Sequence, residues 1–169
     1  MHGSLDGIRQ GAGLPERVAT RIHLLLASTP DPESAARYLE CMRQESPSAF
    51  DRVASSPAAL RCAVNLFSYS RFLSEAVLQR PERILQVANS GSFYRVLTVE
   101  EYGLRLIESL GREHGGAPTA VDLARFRRRQ LLRIVLRDVL SVATLSDIAE
   151  EISNLVERRH MQAETDKSL

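Results

Sequence analysis

Apolar positions recur at intervals of three and four along most of this chain, and the series are interrupted by proline, serine and glycine. Leu14, Val18, Ile22, Leu25 and Leu26 form the first series. With Pro15 fixed in a φ suited to a first turn, they predict a helix ending near Ser28. Thr29-Pro30-Asp31-Pro32 breaks the chain, and Asp31 as cap with Pro32 as first helical residue predicts a second helix to about Arg43, burying Ala35, Leu39 and Met42. Ser46-Pro47 and Ser56-Pro57 repeat the device, because a proline in the first turn loses no helical hydrogen bond. The third helix carries Phe50, Val53 and Ala54, and the fourth carries Leu60, Ala63, Val64 and Phe67. After Ser68-Tyr69-Ser70, a fifth with Phe72, Leu73, Ala76 and Val77 must stop before Pro81, and Pro81 to Leu85 can begin a further turn or two.

Asn89-Ser90-Gly91-Ser92 reads as a loop, and the β-type run Phe93 to Leu97 is too short and too isolated to build a sheet. Thr98 and Glu101 form a capping box that opens a helix with Val99, Leu106, Ile107 and Leu110, fraying from Gly111. Gly115-Gly116-Ala117-Pro118 makes a second loop, Thr119 with Asp122 opens a long arginine-rich helix, and Thr144 with Asp147 opens the last. In that last helix Leu145, Ile148, Ala149, Ile152, Leu155 and Val156 recur at three and four. The expectation is an all-α protein, an irregular bundle of about seven to eight helices with no fixed-period repeat. Residues 14–158 form one helical domain in this reading, with a flexible N-terminus over 1–13 and a polar, disordered tail over 159–169.

Composition narrows the function. The 169 residues carry 22 basic and 21 acidic side chains, a formal net charge of +1, so any basic surface is local. Lys167 is the only lysine, tryptophan is absent and other aromatics are few, which argues against nucleic-acid binding. Cys41 and Cys62 are far apart and unmatched by histidines at ligand spacing, and His2, His23, His114 and His160 are scattered, so no metal site is expected. Met1 to Gly13 lacks the apolar centre of a signal peptide, and the run Leu24 to Ala27 is far too short to cross a bilayer. A cytoplasmic protein with reduced thiols and no membrane partner is the expectation.

The arginine-rich helix is the most informative stretch. Arg125, Arg129, Arg133 and Arg137 recur every fourth position as one ridge, while Leu131, Ile134, Val135, Val139 and Val142 cover the opposite side. Asp138 falls among those apolar residues, and a carboxylate there is expected to be shielded from water and paired with an arginine. Two readings of the ridge stay open: a solvated basic face with one structural ion pair, or a surface that meets an anion, either a carboxylate of another domain or a nucleotide phosphate.

Catalytic patterns are missing. Asp31-Pro32-Glu33 is explained by helix capping, and Glu100-Glu101 and Glu150-Glu151 fall on expected helix surfaces as capping or solvated residues. No Gly-x-Ser-x-Gly is present, and neither cysteine has a histidine nearby. Taken from its residues alone, the chain reads as a helical interaction module without a visible active site.

Ser70-Arg71-Phe72-Leu73-Ser74, Gln79-Arg80-Pro81-Glu82, and Phe126-Arg127-Arg128-Arg129-Gln130-Leu131-Leu132-Arg133-Ile134 with Arg137-Asp138 together resemble the bacterial glutamine synthetase adenylyltransferase family. The resemblance runs from about Phe67 to Val156. It implies a helical portion of a large bifunctional enzyme that attaches AMP from ATP to glutamine synthetase and removes it, with Mg²⁺ and ATP held by a nucleotidyltransferase domain that this chain does not contain. Under it the chain is a piece of a longer protein or a truncated reading frame, inactive alone and without a catalytic residue. Arg127, Arg128, Arg129, Arg133, Arg137 and Asp138 match the family's helical motif, and the role implied for them is docking against the missing catalytic domain, with glutamine synthetase as a further partner. The rival reading is a stand-alone helical module whose arginine ridge, Arg125 included, binds an acidic partner.

Overall fold

The computed structural model describes residues 6–9, 13–111 and 119–165. Among them there is no strand, and the helical segments are α1 (Asp6–Arg9), α2 (Glu16–Ala27), α3 (Pro32–Glu45), α4 (Pro47–Ser55), α5 (Pro57–Tyr69), α6 (Arg71–Leu78), α7 (Glu82–Ala88), α8 (Val99–Gly111), α9 (Ala120–Val139) and α10 (Leu145–Thr165). The all-α class holds. The helix count is higher than the sequence suggests, because α1 is a single turn too short to show periodicity and Glu82–Ala88 forms a helix of its own where only a further turn or two is expected.

Where periodicity alone gives one domain over 14–158, the chain divides into two compact units, Met1–Phe93 and Tyr94–Leu169. The division falls between Phe93 and Tyr94, within the turn that continues the Asn89–Ser92 loop. In the first unit, α5 is the central element and packs on α2, α3, α4, α6 and α7. Its composition explains the position: Ala59, Leu60, Cys62, Ala63, Val64, Leu66 and Phe67 are all buried, an apolar girdle wider than one stripe. Small residues at Ala35 and Ala36 of α3 and at Ala59 and Ala63 of α5 let these backbones approach closely, and Tyr38 meets Phe67 with ring centroids 5.5 Å apart. Residues 1–13, expected to be flexible, include the turn α1, which packs on α2 and α3 with Ile8 buried.

The capping devices differ in how they are used. Asp31 Oδ1 accepts from the Ser34 N–H at 2.9 Å, which holds the Asp31 carboxyl below its ordinary range, and the Asp31 N–H donates to Ser68 Oγ at 3.0 Å. Ser56 Oγ accepts from the Ala59 N–H at 3.3 Å and Ser70 Oγ from the Leu73 N–H at 3.4 Å, but Ser46 makes no side-chain cap.

The second unit is three mutually packed helices, α8, α9 and α10. Its core is Leu97, Tyr102, Leu106, Phe126, Ile134, Ile148 and Leu155. All three threonine boxes close reciprocally: Thr98 with Glu101, Thr119 with Asp122, and Thr144 with Asp147, whose carboxyl is held low by the Thr144 N–H. After α9 the chain reverses at Ser141, φ 54°, with the Val142 N–H returning to the Arg137 carbonyl at 2.9 Å. The expected tail over 159–169 differs too: helical backbone continues to Thr165, since no glycine or proline interrupts Glu157 to Thr165. The Gly115 to Pro118 loop and residues 166–169 lie outside the described residues.

The contrast between two serines gives a test. Ser56→Ala should destabilise the chain by about 1 kcal/mol, as loss of a working N-cap does, while Ser46→Ala should be close to neutral. Urea midpoints of the two variants compare them directly.

Candidate functional site

The arginine ridge is divided by the fold. Arg125, Arg127 and Arg128 are exposed and Arg129 is half-buried, but Arg133 and Arg137 are only 2% and 1% exposed. The buried stripe of α9 runs through Phe126, Gln130, Arg133 and Arg137, spaced four, three and four, so the lower half of the ridge coincides with the inward face. Of the side expected to be apolar and inward, Ile134 is buried, whereas Leu131, Val135, Val139 and Val142 are half-buried.

Asp138 does not occupy the expected place. It is exposed, because the Leu131–Val135–Val139 strip beside it lies at the margin of the core. The buried carboxylate is Glu151 of α10, fully inaccessible, although the sequence places Glu150-Glu151 on a solvated surface. The missed signal was in the pattern: Glu151 lies three after Ile148 and four before Leu155, within the buried stripe of α10.

Glu151 is held by four donors. Arg133 Nη1 donates to Oε1 and Arg137 Nη1 to Oε2, so each oxygen takes one guanidinium. Oε1 also accepts the Tyr102 hydroxyl at 3.1 Å and the Leu97 N–H at 3.2 Å. Arg133 Nη2 reaches the Arg95 carbonyl at 2.6 Å, and Asn154 Nδ2 reaches the Leu97 carbonyl at 2.9 Å. The segment before α8 is thereby tied to both α9 and α10.

Charge is unequal in this cluster. One carboxylate faces two buried guanidiniums, and the half-buried Arg105 has its pKa lowered, first by burial and then by Arg133. Burial and the charge of Glu151 push the Tyr102 hydroxyl up, so it remains a donor. Arg137 Nε is buried and finds no acceptor among the described residues. At the margin, Arg95 grips Glu101 with both terminal nitrogens; that grip, with the Thr98 N–H, brings the Glu101 carboxyl down to about 2.

A desolvated cluster of this kind, with both carboxylate oxygens taken by guanidiniums, fixes geometry. Among the described residues, no group of three or more His, Cys, Asp or Glu side chains could hold a metal ion, and no helix is long and apolar enough to cross a membrane. Cys41 and Cys62 are free, and burial raises the Cys62 thiol to about 11.

The family model for glutamate-ammonia ligase adenylyltransferase matches residues 60–163. The chain is 28% identical over 122 residues to the bifunctional glutamine synthetase adenylyltransferase/adenylyl-removing enzyme of Nitrosococcus oceani, covering 72% of this chain and 12% of that protein. It is 29% identical over 109 residues to the protein of the same description from Pseudomonas syringae pv. tomato, covering 64% of this chain and 10% of the relative. No solved structure matches.

Two tests follow from the geometry. Glu151→Ala strands two buried guanidiniums and should cost about 3–5 kcal/mol, whereas Asp138→Ala, at an exposed position, should stay within about 0.5 kcal/mol; denaturant unfolding of both separates the two carboxylates. For Glu101, a folded pKa lowered from 4.5 to about 2 means its contribution is present above pH 4.5 and is lost as pH falls towards 2. Glu101→Gln should therefore flatten the stability profile in that window and leave its shape at higher pH unchanged.

Proposed function

This chain belongs to the glutamate-ammonia ligase adenylyltransferase family, and from that premise we propose that it supplies a helical scaffold to an enzyme that transfers AMP from ATP to glutamine synthetase and removes it. The observation that carries this reading is the fate of the motif arginines. Arg133 and Arg137, which belong to the most specific stretch of the resemblance, are both consumed by Glu151 inside a three-helix unit. Their work is to set the relation of α9 to α10 and to the Arg95–Leu97 segment, which is the work of a scaffold.

On this reading the chain is inactive alone. The metal-binding carboxylates, ATP and Mg²⁺ belong to a nucleotidyltransferase domain. Glutamine synthetase is the protein acted on, the catalytic domain is the intramolecular partner, and the setting is the cytoplasm, in keeping with two free cysteines.

The test is a graft. Residues 60–163 of this chain would replace the matching segment of the Nitrosococcus oceani enzyme, and transfer of labelled AMP to glutamine synthetase would be measured. Labelling should persist in the graft, disappear when the graft carries Glu151→Ala, and be absent with this chain alone. Labelling by this chain alone would overturn the reading, as would a folded graft that transfers nothing.

A further inference from the structure

At the start of the second unit, Arg95 to Leu97 is neither helix nor strand, and side chains hold its backbone. Glu151 and Asn154, three positions apart and so neighbours on α10, take both backbone groups of Leu97. Glu151 Oε1 accepts its N–H at 3.2 Å, and Asn154 Nδ2 donates to its carbonyl at 2.9 Å. Arg133 Nη2 donates to the Arg95 carbonyl at 2.6 Å. One apolar side chain anchors the segment, because Leu97 is fully buried in the core whereas Val96 is half-buried and Arg95 is exposed. Arg95 also pairs with Glu101 at the exposed margin, where water readily replaces such a partner.

Release of this segment strands little. If Arg95 to Leu97 lifts away, Glu151 keeps Arg133 and Tyr102 on Oε1 and Arg137 on Oε2, and the freed backbone groups meet water. Parting α9 from α10 would instead separate both guanidiniums from their carboxylate. We propose that Arg95 to Leu97 is a strap that opens as a local unit while α9 and α10 stay joined, and that Asn154 is the residue that holds it shut. Glu151 has its guanidiniums to serve, whereas the Asn154 amide serves the strap. Opening frees the chain that leads into α8 and lets water reach the Glu151 cluster. This inference rests on the geometry of the second unit and not on the family assignment.

Amide hydrogen exchange of the full chain, followed by NMR at low urea concentrations, tests the strap. The Leu97 amide should exchange through an opening that urea barely affects, and the amides of Ile134 in α9 and Leu155 in α10 through a larger one that urea promotes. Thr144→Ala removes the cap of α10, which stays formed when only the strap is open. It should speed exchange at Ile134 and Leu155 about fivefold and leave Leu97 unchanged. Asn154→Ala should speed Leu97 about five- to tenfold, through the loss of one hydrogen bond. If that variant fails to fold, Asn154→Ser replaces it, with the same direction expected. A Leu97 amide that shares the urea dependence of Ile134, or that responds equally to Thr144→Ala, overturns the proposal. So does indifference of Leu97 to the Asn154 substitution.

Discussion

A carboxylate removed from water is unfavourable unless its lone pairs are filled, and the second unit is arranged around filling those of Glu151. Two guanidiniums, a phenol and a backbone N–H converge on it from α9, α8 and the segment before α8. Each donor fixes the element that supplies it, so one side chain sets the mutual position of three helices. Apolar packing through Leu106, Phe126, Ile134 and Leu155 provides cohesion without direction, and the charged cluster adds the direction.

Arginine suits this role better than lysine. A planar guanidinium with several donors can serve Glu151 and the Arg95 carbonyl at once, as Arg133 does, and it stays charged when buried. The same residue type on the outer half of α9 remains at the surface, so one sequence motif has two physical fates. Those fates are decided by which positions coincide with the Phe126–Gln130 stripe.

Much of the fold was legible in the sequence because it rests on local rules. The helices from Leu14 to Phe67 follow from proline and capping residues, and the three threonine boxes are closed by atoms three residues apart. The turn at Asp6–Arg9 was not legible, since one buried isoleucine makes no period. The site was legible only in part. Arg133 and Arg137 stand out by spacing, but the buried face of α9 extends from Ile134 round to include both arginines, and the carboxylate that pairs with them lies on α10 and not at Asp138. Glu151 lies 14 and 18 positions from Arg137 and Arg133, and residue type alone does not distinguish it from the neighbouring Glu150. The apolar register of α10 does distinguish them, if the stripe is followed through a charged residue rather than broken at it.

Those separations bear on how the unit assembles. Pairing Glu151 with Arg137 and Arg133 closes loops of 14 and 18 residues, whereas its bond to the Leu97 N–H spans 54. Loop-closure entropy grows with length, so the turn at Ser141 brings the opposite charges together at lower entropic cost than the segment before α8 can be added. The ion pairs can then form while water still reaches them. Docking of Tyr102 and Leu97 completes the seal around a carboxylate that already has both guanidiniums in place.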